Sequence, residues 1–148
     1  MSLTTLKGDA ERVYRDWDDA LGRKDVEAAI ALYAPDCVLE SPLVSHLLST
    51  ERGVVEGRER LREFVRLVFA HTPPARKRYR EGFFTDGRRL ICEYPRATPN
   101  GDQMDFVESM ELNDEGLISR HRVYWAGLAS GFCSATNIAA RSDYASAA

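Results

Sequence analysis

Residues 104–125 read MDFVESMELNDEGLISRHRVYW. The first half alternates apolar and polar side chains, which is the pattern of a half-buried β-strand. Its apolar positions are Met104, Phe106, Met110 and Leu112, and Glu108 is the one charged residue in the same series. Residues 113–116 are typical of a turn, and residues 117–125 return as a second strand rich in β-branched and aromatic residues. The segment predicts a β-hairpin with a carboxylate on its apolar face.

The register of this hairpin decides which residue faces Glu108. If Asn113 pairs with Gly116 across the turn, Glu108 lies directly opposite His121. We favour this register because arginines are more easily accommodated on a wet face than in a core. It turns Arg120, Arg122 and Tyr124 outward and places His121, Val123 and Trp125 on the apolar face. A carboxylate beside an imidazole on an apolar wall is a candidate for chemistry or for a buried structural pair.

A second register stays open. If Gly116 adopts the left-handed conformation in a three-residue loop, Asn113 pairs with Leu117 instead. Glu108 would then face Arg122, and the simplest interpretation would be a cross-strand salt bridge.

Composition limits the class of protein. The chain has 148 residues, which is enough for one domain with a hydrophobic core. A net charge of −3 argues against nucleic acid as a partner, and the basic run Arg76–Arg78 is interpreted as a solvated edge. The cysteines form no CxxC pair, and no apolar run is long enough to cross a membrane; we therefore expect a cytoplasmic protein without a membrane partner.

No cofactor or metal site is expected. The three histidines stand at positions 46, 71 and 121 without the spacing of metal ligands. The sequence also lacks a glycine-rich phosphate loop and a dinucleotide fingerprint.

The first half of the chain predicts three helices. Apolar residues at three- and four-residue steps indicate a helix over Thr5–Leu21, and Asp25 is expected to cap a second helix whose stripe extends to Tyr33 and which ends at Pro35. A short strand follows over Cys37–Ser41. Residues 43–56 are predicted to be a long loop, and a third helix spans Gly57–His71.

The second half predicts strands joined by tight turns. We expect strands at Tyr79–Thr85 and Leu90–Arg96, turns at 86–87 and 99–101, and then the final hairpin. The prediction is an α+β domain in which three N-terminal helices pack on a curved antiparallel sheet shaped like a cone. The domain is expected to span residues 1–127, with 128–148 as a poorly specified tail.

Three segments carry a family resemblance. Residues 24–42 (KDVEAAIALYAPDCVLESP), 57–64 (GRERLREF) and 116–125 (GLISRHRVYW) resemble the NTF2-like superfamily, and within it SnoaL-like proteins and ketosteroid isomerases. The likeness covers about residues 9–127. It implies a cone-shaped pocket between the sheet and the first and third predicted helices, and a homodimer formed through the outer face of the sheet.

The catalytic residues of the ketosteroid isomerases are only partly present. Trp17 stands where those enzymes have an oxyanion-donating tyrosine, and Ser41 stands where they have the aspartate base. Glu40, next to it, is expected to point to the opposite face. Glu108 matches their third group, an acid. A serine cannot shuttle a proton at carbon without a base of its own, so the familiar isomerase route is not expected.

The candidate catalytic pair is Glu108 and His121. The carboxylate would orient the imidazole, which would take a proton from carbon or water while Trp17 or Tyr14 donates to an oxyanion. In the opposite assignment, Glu108 is the acid and His121 its neutral partner. The expected ligand is a small apolar molecule bearing oxygen, and the pocket residues are Tyr14, Trp17, Ser41, Phe64, Phe106, Val123 and Trp125. The predicted function is an isomerase, cyclase, dehydratase or hydrolase, and the alternative is a binding module without catalysis.

Overall fold

The computed structural model describes residues 3–71, 82–93, 96–97 and 103–126. The predicted turn at 99–101, the basic run at 76–78, the end of the domain at residue 127 and the tail lie outside these residues. The elements are α1 (Leu3–Arg23), α2 (Val26–Ala31), β1 (Tyr33–Glu40), α3 (Pro42–Leu48), β2 (Val54–Glu56), α4 (Arg58–His71), β3 (Phe83–Thr85), β4 (Arg89–Glu93), β5 (Arg96–Ala97), β6 (Gln103–Leu112) and β7 (Ile118–Ala126).

The architecture is the predicted α+β class, with helices packed on a curved sheet. The strand order is β2-β1-β7-β6-β4-β3, and the short β5 pairs with β6. One neighbouring pair, β1 with β7, is parallel, so the sheet is not entirely antiparallel as predicted. None of the helices in the described part of the chain is long and apolar enough to span a membrane.

The helices bury one face each against the sheet. Helix α1 follows the predicted stripe, and its Ala10, Val13, Trp17 and Ala20 are buried. Asp25 caps α2 as predicted, because its carboxylate accepts a hydrogen bond from the Ala28 amide at 3.0 Å. The core between helices and sheet contains Ile30, Leu61, Leu90, Met110 and Ile118, all almost fully buried.

The predicted extension of the second helix to Tyr33 is wrong. Helix α2 ends at Ala31, and Tyr33 is the first residue of β1, where it pairs with Ile118 of β7. The Leu32 carbonyl already accepts from the Ile118 amide at 2.8 Å, so sheet pairing replaces the next helical turn. Pro35 lies inside the strand, where the register between β1 and β7 is interrupted and its missing N–H is tolerated.

The predicted loop over residues 43–56 contains two elements. Helix α3 begins at Pro42, and the Ser41 hydroxyl caps it by accepting from the Leu43 amide at 3.2 Å. Strand β2 then pairs antiparallel with β1. Serine followed by proline is a common start of a helix, and this was the signal that the search for apolar periodicity missed.

Parts of the two strands predicted after α4 lie outside the described residues, namely 79–81 and 94–95. Strand β3 covers Phe83–Thr85 and β4 covers Arg89–Glu93. The turn at 86–87 is confirmed: the Asp86 carboxylate accepts from the Arg88 and Arg89 amides at 2.9 and 2.7 Å, and Gly87 has φ 97°.

The final hairpin combines features of both predicted registers. Gly116 is left-handed with φ 71°, and Asn113 pairs with Leu117 through an amide-to-carbonyl bond of 2.9 Å, as in the second register. Leu112 then pairs with Ile118, but Glu111 pairs with Arg120, so Ser119 is an extra residue in β7. This β-bulge shifts the pairing by one residue and restores the faces of the first register.

The left-handed glycine at the tip also contacts helix α1. The Gly116 carbonyl accepts from the Arg12 guanidinium at 2.9 Å, and a Cβ at this position would lie 2.9 Å from Asp9 Cγ. We predict that Gly116→Ala lowers the free energy of unfolding by more than about 1 kcal/mol, because alanine is strained at positive φ. Urea unfolding measures this. The control Gly8→Ala, in open space on α1, should instead be neutral or stabilising; equal effects at both sites would contradict the explanation.

Candidate functional site

Glu108 and His121 form a buried hydrogen-bonded pair. Their strands are neighbours, and the Nε2 atom of His121 lies 2.7 Å from Oε2 of Glu108. The predicted direct opposition is wrong, because Glu108 pairs with Val123 and His121 pairs with Met110. The two side chains still share the inner face and meet diagonally. Only 6% of Glu108 and 3% of His121 is exposed.

Tyr33 completes this pair and was not identified from the sequence as a site residue. Its hydroxyl oxygen lies 2.7 Å from Nδ1 of His121, and the two rings stack with centroids 5.9 Å apart. The Arg58 guanidinium, at the start of α4, donates to the Tyr33 carbonyl and anchors this end of β1. We call Tyr33, His121 and Glu108 the buried triad. The spacing from Val26 to Tyr33 is typical of a helix, so the sequence did not predict Tyr33 as a strand residue facing His121.

One arrangement of protons satisfies the whole triad. Burial raises the pKa of Tyr33, the negative charge of Glu108 raises it further, and a hydrogen bond with Trp17 opposes both effects. The phenol therefore keeps its proton, and in this arrangement it donates to Nδ1. A neutral His121 then carries its hydrogen on Nε2 and donates to the Glu108 carboxylate.

The triad lies at a cavity of about 90 Å³. This is smaller than the apolar cavity of roughly 150 Å³ that holds benzene. A ligand of benzene size or above would therefore extend out of the cavity, past half-buried rim residues such as Leu21, Val65 and Val68. Within the described part of the chain, the buried polar or charged residues besides Tyr33 are Ser41, Glu108 and His121, and all of them line this cavity. The remaining wall is apolar and comes from all four helices and the sheet.

Most of the predicted pocket residues line this cavity. Those on its wall are Trp17, Ser41, Phe64, Phe106 and Val123. Trp17 also packs edge-on against the His121 ring, with centroids 6.0 Å apart.

Two predicted pocket residues lie outside the lining. Tyr14 is turned to the edge of α1, where its hydroxyl accepts from the Gly82 amide at 2.9 Å and its ring contacts Phe83. Trp125 stacks on Phe106 with centroids 6.1 Å apart, so it supports a wall residue instead of forming the wall.

Ser41 and Glu40 point to opposite faces, as alternation predicts. Ser41 is buried on the cavity wall, whereas Glu40 accepts from the Arg122 guanidinium at 2.9 and 3.1 Å on the outer face. This ion pair holds the pKa of Glu40 below its usual range. At the end of β1, Ser41 therefore brings a hydroxyl to the cavity, whereas the carboxylate of Glu40 points away from it.

Comparison with known proteins agrees with this architecture. The family model of the SnoaL-like domain matches residues 14–121. A SnoaL-like protein of unknown function from Burkholderia thailandensis superimposes with a TM-score of 0.66 at 18% identity, covering 81% of this chain and 96% of its own. A steroid delta-isomerase from Pseudomonas aeruginosa gives 0.63 at 18% identity, covering 93% of each chain. No curated protein matches the chain.

The buried phenol makes stability sensitive to alkaline pH. The pKa of Tyr33 is raised in the folded state, so above the ordinary tyrosine pKa of about 10 the unfolded chain loses a proton that the folded chain retains. We predict that the free energy of unfolding falls with rising pH above this point, by up to about 1.4 kcal/mol per pH unit from this group. Tyr33→Phe should remove that part of the slope.

Urea unfolding between neutral and alkaline pH measures the effect. Tyr124→Phe is the matched control, because Tyr124 is 52% exposed on the outer face and should leave the slope unchanged. Identical alkaline slopes for Tyr33→Phe and the unmodified protein would contradict the assignment of the phenol proton.

Proposed function

The chain belongs to the family of SnoaL-like domains, and we propose that it is a cofactor-independent acid/base enzyme acting on a small apolar substrate that bears oxygen. The observation that carries the proposal is the buried triad at the polar end of an otherwise apolar cavity. Apolar walls bind the carbon skeleton, and a small set of polar groups fixes one end of it.

The proposed chemistry is proton transfer. Isomerisation, cyclisation, dehydration and hydrolysis each need a group that takes up or delivers a proton next to an oxygen of the substrate. Glu108 supplies the negative charge that can store the proton, and water is excluded from it because it is buried.

His121 lies between Tyr33 and Glu108 in the proposed mechanism. Both of its ring nitrogens are already engaged, Nδ1 by Tyr33 and Nε2 by Glu108. A substrate would have to break one of these hydrogen bonds to give its proton directly to the imidazole. We therefore favour Glu108 as the final proton acceptor, with His121 hydrogen-bonded to its carboxylate and not in direct contact with the substrate.

The aromatic wall residues are proposed to bind the substrate. Trp17, Phe64 and Phe106 form apolar surfaces on the cavity, and Ser41 adds a hydroxyl to its wall. Trp17 and Ser41 stand where the ketosteroid isomerases have their oxyanion-donating tyrosine and their aspartate base. The proposed reaction therefore does not use the base of those enzymes.

A binding module without catalysis is the second candidate. It is favoured by the internal completeness of the triad, in which each histidine nitrogen already has a partner within the protein. A network of this kind can also serve structure alone. The cavity would then hold an apolar ligand that leaves unchanged.

Proton exchange with a small ketone tests the enzyme proposal. Cyclopentanone carries exchangeable hydrogens beside a carbonyl, and proton NMR in deuterated water follows their replacement. We predict that Glu108→Gln and His121→Ala each lower the exchange rate above background by about 100-fold or more, the usual contribution of acid/base catalysis. The bound fraction of cyclopentanone, measured by protein chemical shifts, should change little.

The control variants are Glu115→Gln and His71→Ala, both exposed and remote from the cavity. They should exchange at the rate of the unmodified protein. If the unmodified protein, tested with cyclopentanone and larger cyclic ketones, exchanges no faster than Glu108→Gln, the enzyme proposal is wrong and the binding module stands.

A homodimer through the outer face of the sheet is also proposed. This face presents Val107, Arg120, Arg122 and Tyr124, as expected from the alternation, and it also carries exposed Phe84 and Ile91. Apolar side chains interspersed with paired charges suit a self-complementary two-fold contact. The cytoplasmic location stays a prediction from cysteine usage.

We predict a dimer at micromolar concentration and its dissociation by Tyr124→Arg, which adds a third cation beside Arg122 and Arg120 on the outer face. Light scattering gives the mass directly. Ala70→Arg places the same charge at an exposed position of α4 and should leave the dimer intact. A monomeric unmodified protein would refute the proposed interface.

A further inference from the structure

We infer that Tyr33 is the catalytic residue that exchanges protons with the substrate, and that His121 and Glu108 act behind it as a relay. The inference rests on the proposed function, because it specifies how the acid/base step reaches the buried carboxylate.

The order of groups carries the argument. Hydroxyl, imidazole and carboxylate follow one another at 2.7 Å and 2.7 Å, and all three residues are at least nine-tenths buried. All three also line the cavity. In hydrolases with this order of groups, the histidine takes the proton of the hydroxyl, and the carboxylate orients the ring and stabilises the imidazolium. In the buried triad the transfer continues to Glu108, because this leaves no buried charge on His121 or on the carboxylate.

Tyr33 is the residue of the relay that contacts the substrate, because both ring nitrogens of His121 are already engaged. Each nitrogen of His121 already has a partner within the triad, so the imidazole offers no free lone pair to a ligand. The phenol oxygen accepts from the Trp17 indole on one lone pair, and its other lone pair can take a proton while its own hydrogen faces Nδ1. The ring stacking of Tyr33 on His121 and the Arg58 contact to the Tyr33 carbonyl hold the phenol in register.

A relay also avoids an unfavourable phenolate. Burial and the charge of Glu108 both raise the pKa of Tyr33, so the tyrosine cannot serve as a base by first losing its proton. It can accept a proton only if its own hydrogen leaves at the same time. Nδ1 of His121 is placed to receive that hydrogen.

The step balances as follows. The substrate bond to hydrogen breaks, its electron pair stays on the substrate, and the proton joins the Tyr33 oxygen. The original phenol hydrogen moves to Nδ1 of His121, and the hydrogen on Nε2 moves to Oε2 of Glu108. Tyr33, His121 and Glu108 are all neutral at the end, and the negative charge now lies on the substrate.

The product of this step is stabilised by the same residue. After the transfer Nδ1–H donates to the Tyr33 oxygen, and the new phenol hydrogen points at the substrate anion. The substrate that fits this step therefore carries an acidic hydrogen, either on a hydroxyl or on a carbon beside a carbonyl. Loss of that hydrogen leaves an oxyanion or an enolate. Reversal of the relay returns the proton, to the same atom or to another.

The first test is Tyr33→Phe in the cyclopentanone exchange assay. The expected result is a loss of about 100-fold or more in exchange rate, with cyclopentanone still bound and with Tyr124→Phe as active as the unmodified protein. If Tyr33→Phe retains full exchange while Glu108→Gln loses it, the carboxylate takes the proton directly and the relay is overturned, although the proposed function stands. If the unmodified protein shows no exchange above Glu108→Gln, the proposed function itself fails.

The second test separates catalysis from structure. Ring-fluorinated tyrosine incorporated at position 33 keeps the shape of the phenol but makes it more acidic. A relay predicts that the exchange rate changes in a graded way with the number of fluorine atoms, whereas a structural hydroxyl predicts no change. Nitrogen-15 NMR of His121 completes the test: the resting protein should carry the ring hydrogen on Nε2, and a hydrogen on Nδ1 instead would overturn the proposed direction.

Discussion

The position of strand β7 between β1 and β6 determines the rest of the site. Its backbone pairs in parallel with β1 on one side and antiparallel with β6 on the other. His121 therefore stands between a residue of each neighbour, Tyr33 and Glu108, and can use one ring nitrogen for each. Without the parallel pair, Tyr33 would not lie beside the imidazole, and His121 would have Glu108 as its single partner in the triad.

The apolar cavity gives these contacts their chemical character. A tyrosine, a histidine and a glutamate on a wet surface would exchange partners with water and contribute little. Here burial removes that competition, and the three side chains satisfy one another within hydrogen-bond distance. The helices matter because they close the cavity with apolar side chains, among them Trp17 and Phe64, while leaving a rim on α1 and α4.

Much of this could be predicted from the sequence, and the exceptions have physical causes. Apolar periodicity located α1, α4 and the final hairpin, and the preference of arginine for the outer face put Glu108 and His121 on one face. Periodicity could not locate Tyr33, because positions 26–33 fit a helix as well as the start of a strand, and the deciding bond comes from distant Ile118. Tyr14 and Trp125 were assigned to the pocket because helical and strand patterns give a face, and a face is wider than a cavity.

The bulge at Ser119 limits how this hairpin can change in length. The extra residue compensates for the odd-numbered loop 114–116, and the Ser119 hydroxyl bonds across to the Glu111 carbonyl at 3.1 Å. Deleting Ser119 would remove the bulge but leave Leu112 opposite Ile118 and His121 opposite Met110, so the histidine would still face inward. Inserting a residue between Ile118 and His121 would instead need a second bulge to keep His121 inside. Relatives that keep this histidine inside should therefore tolerate the loss of one residue between Ile118 and His121 more readily than the gain of one.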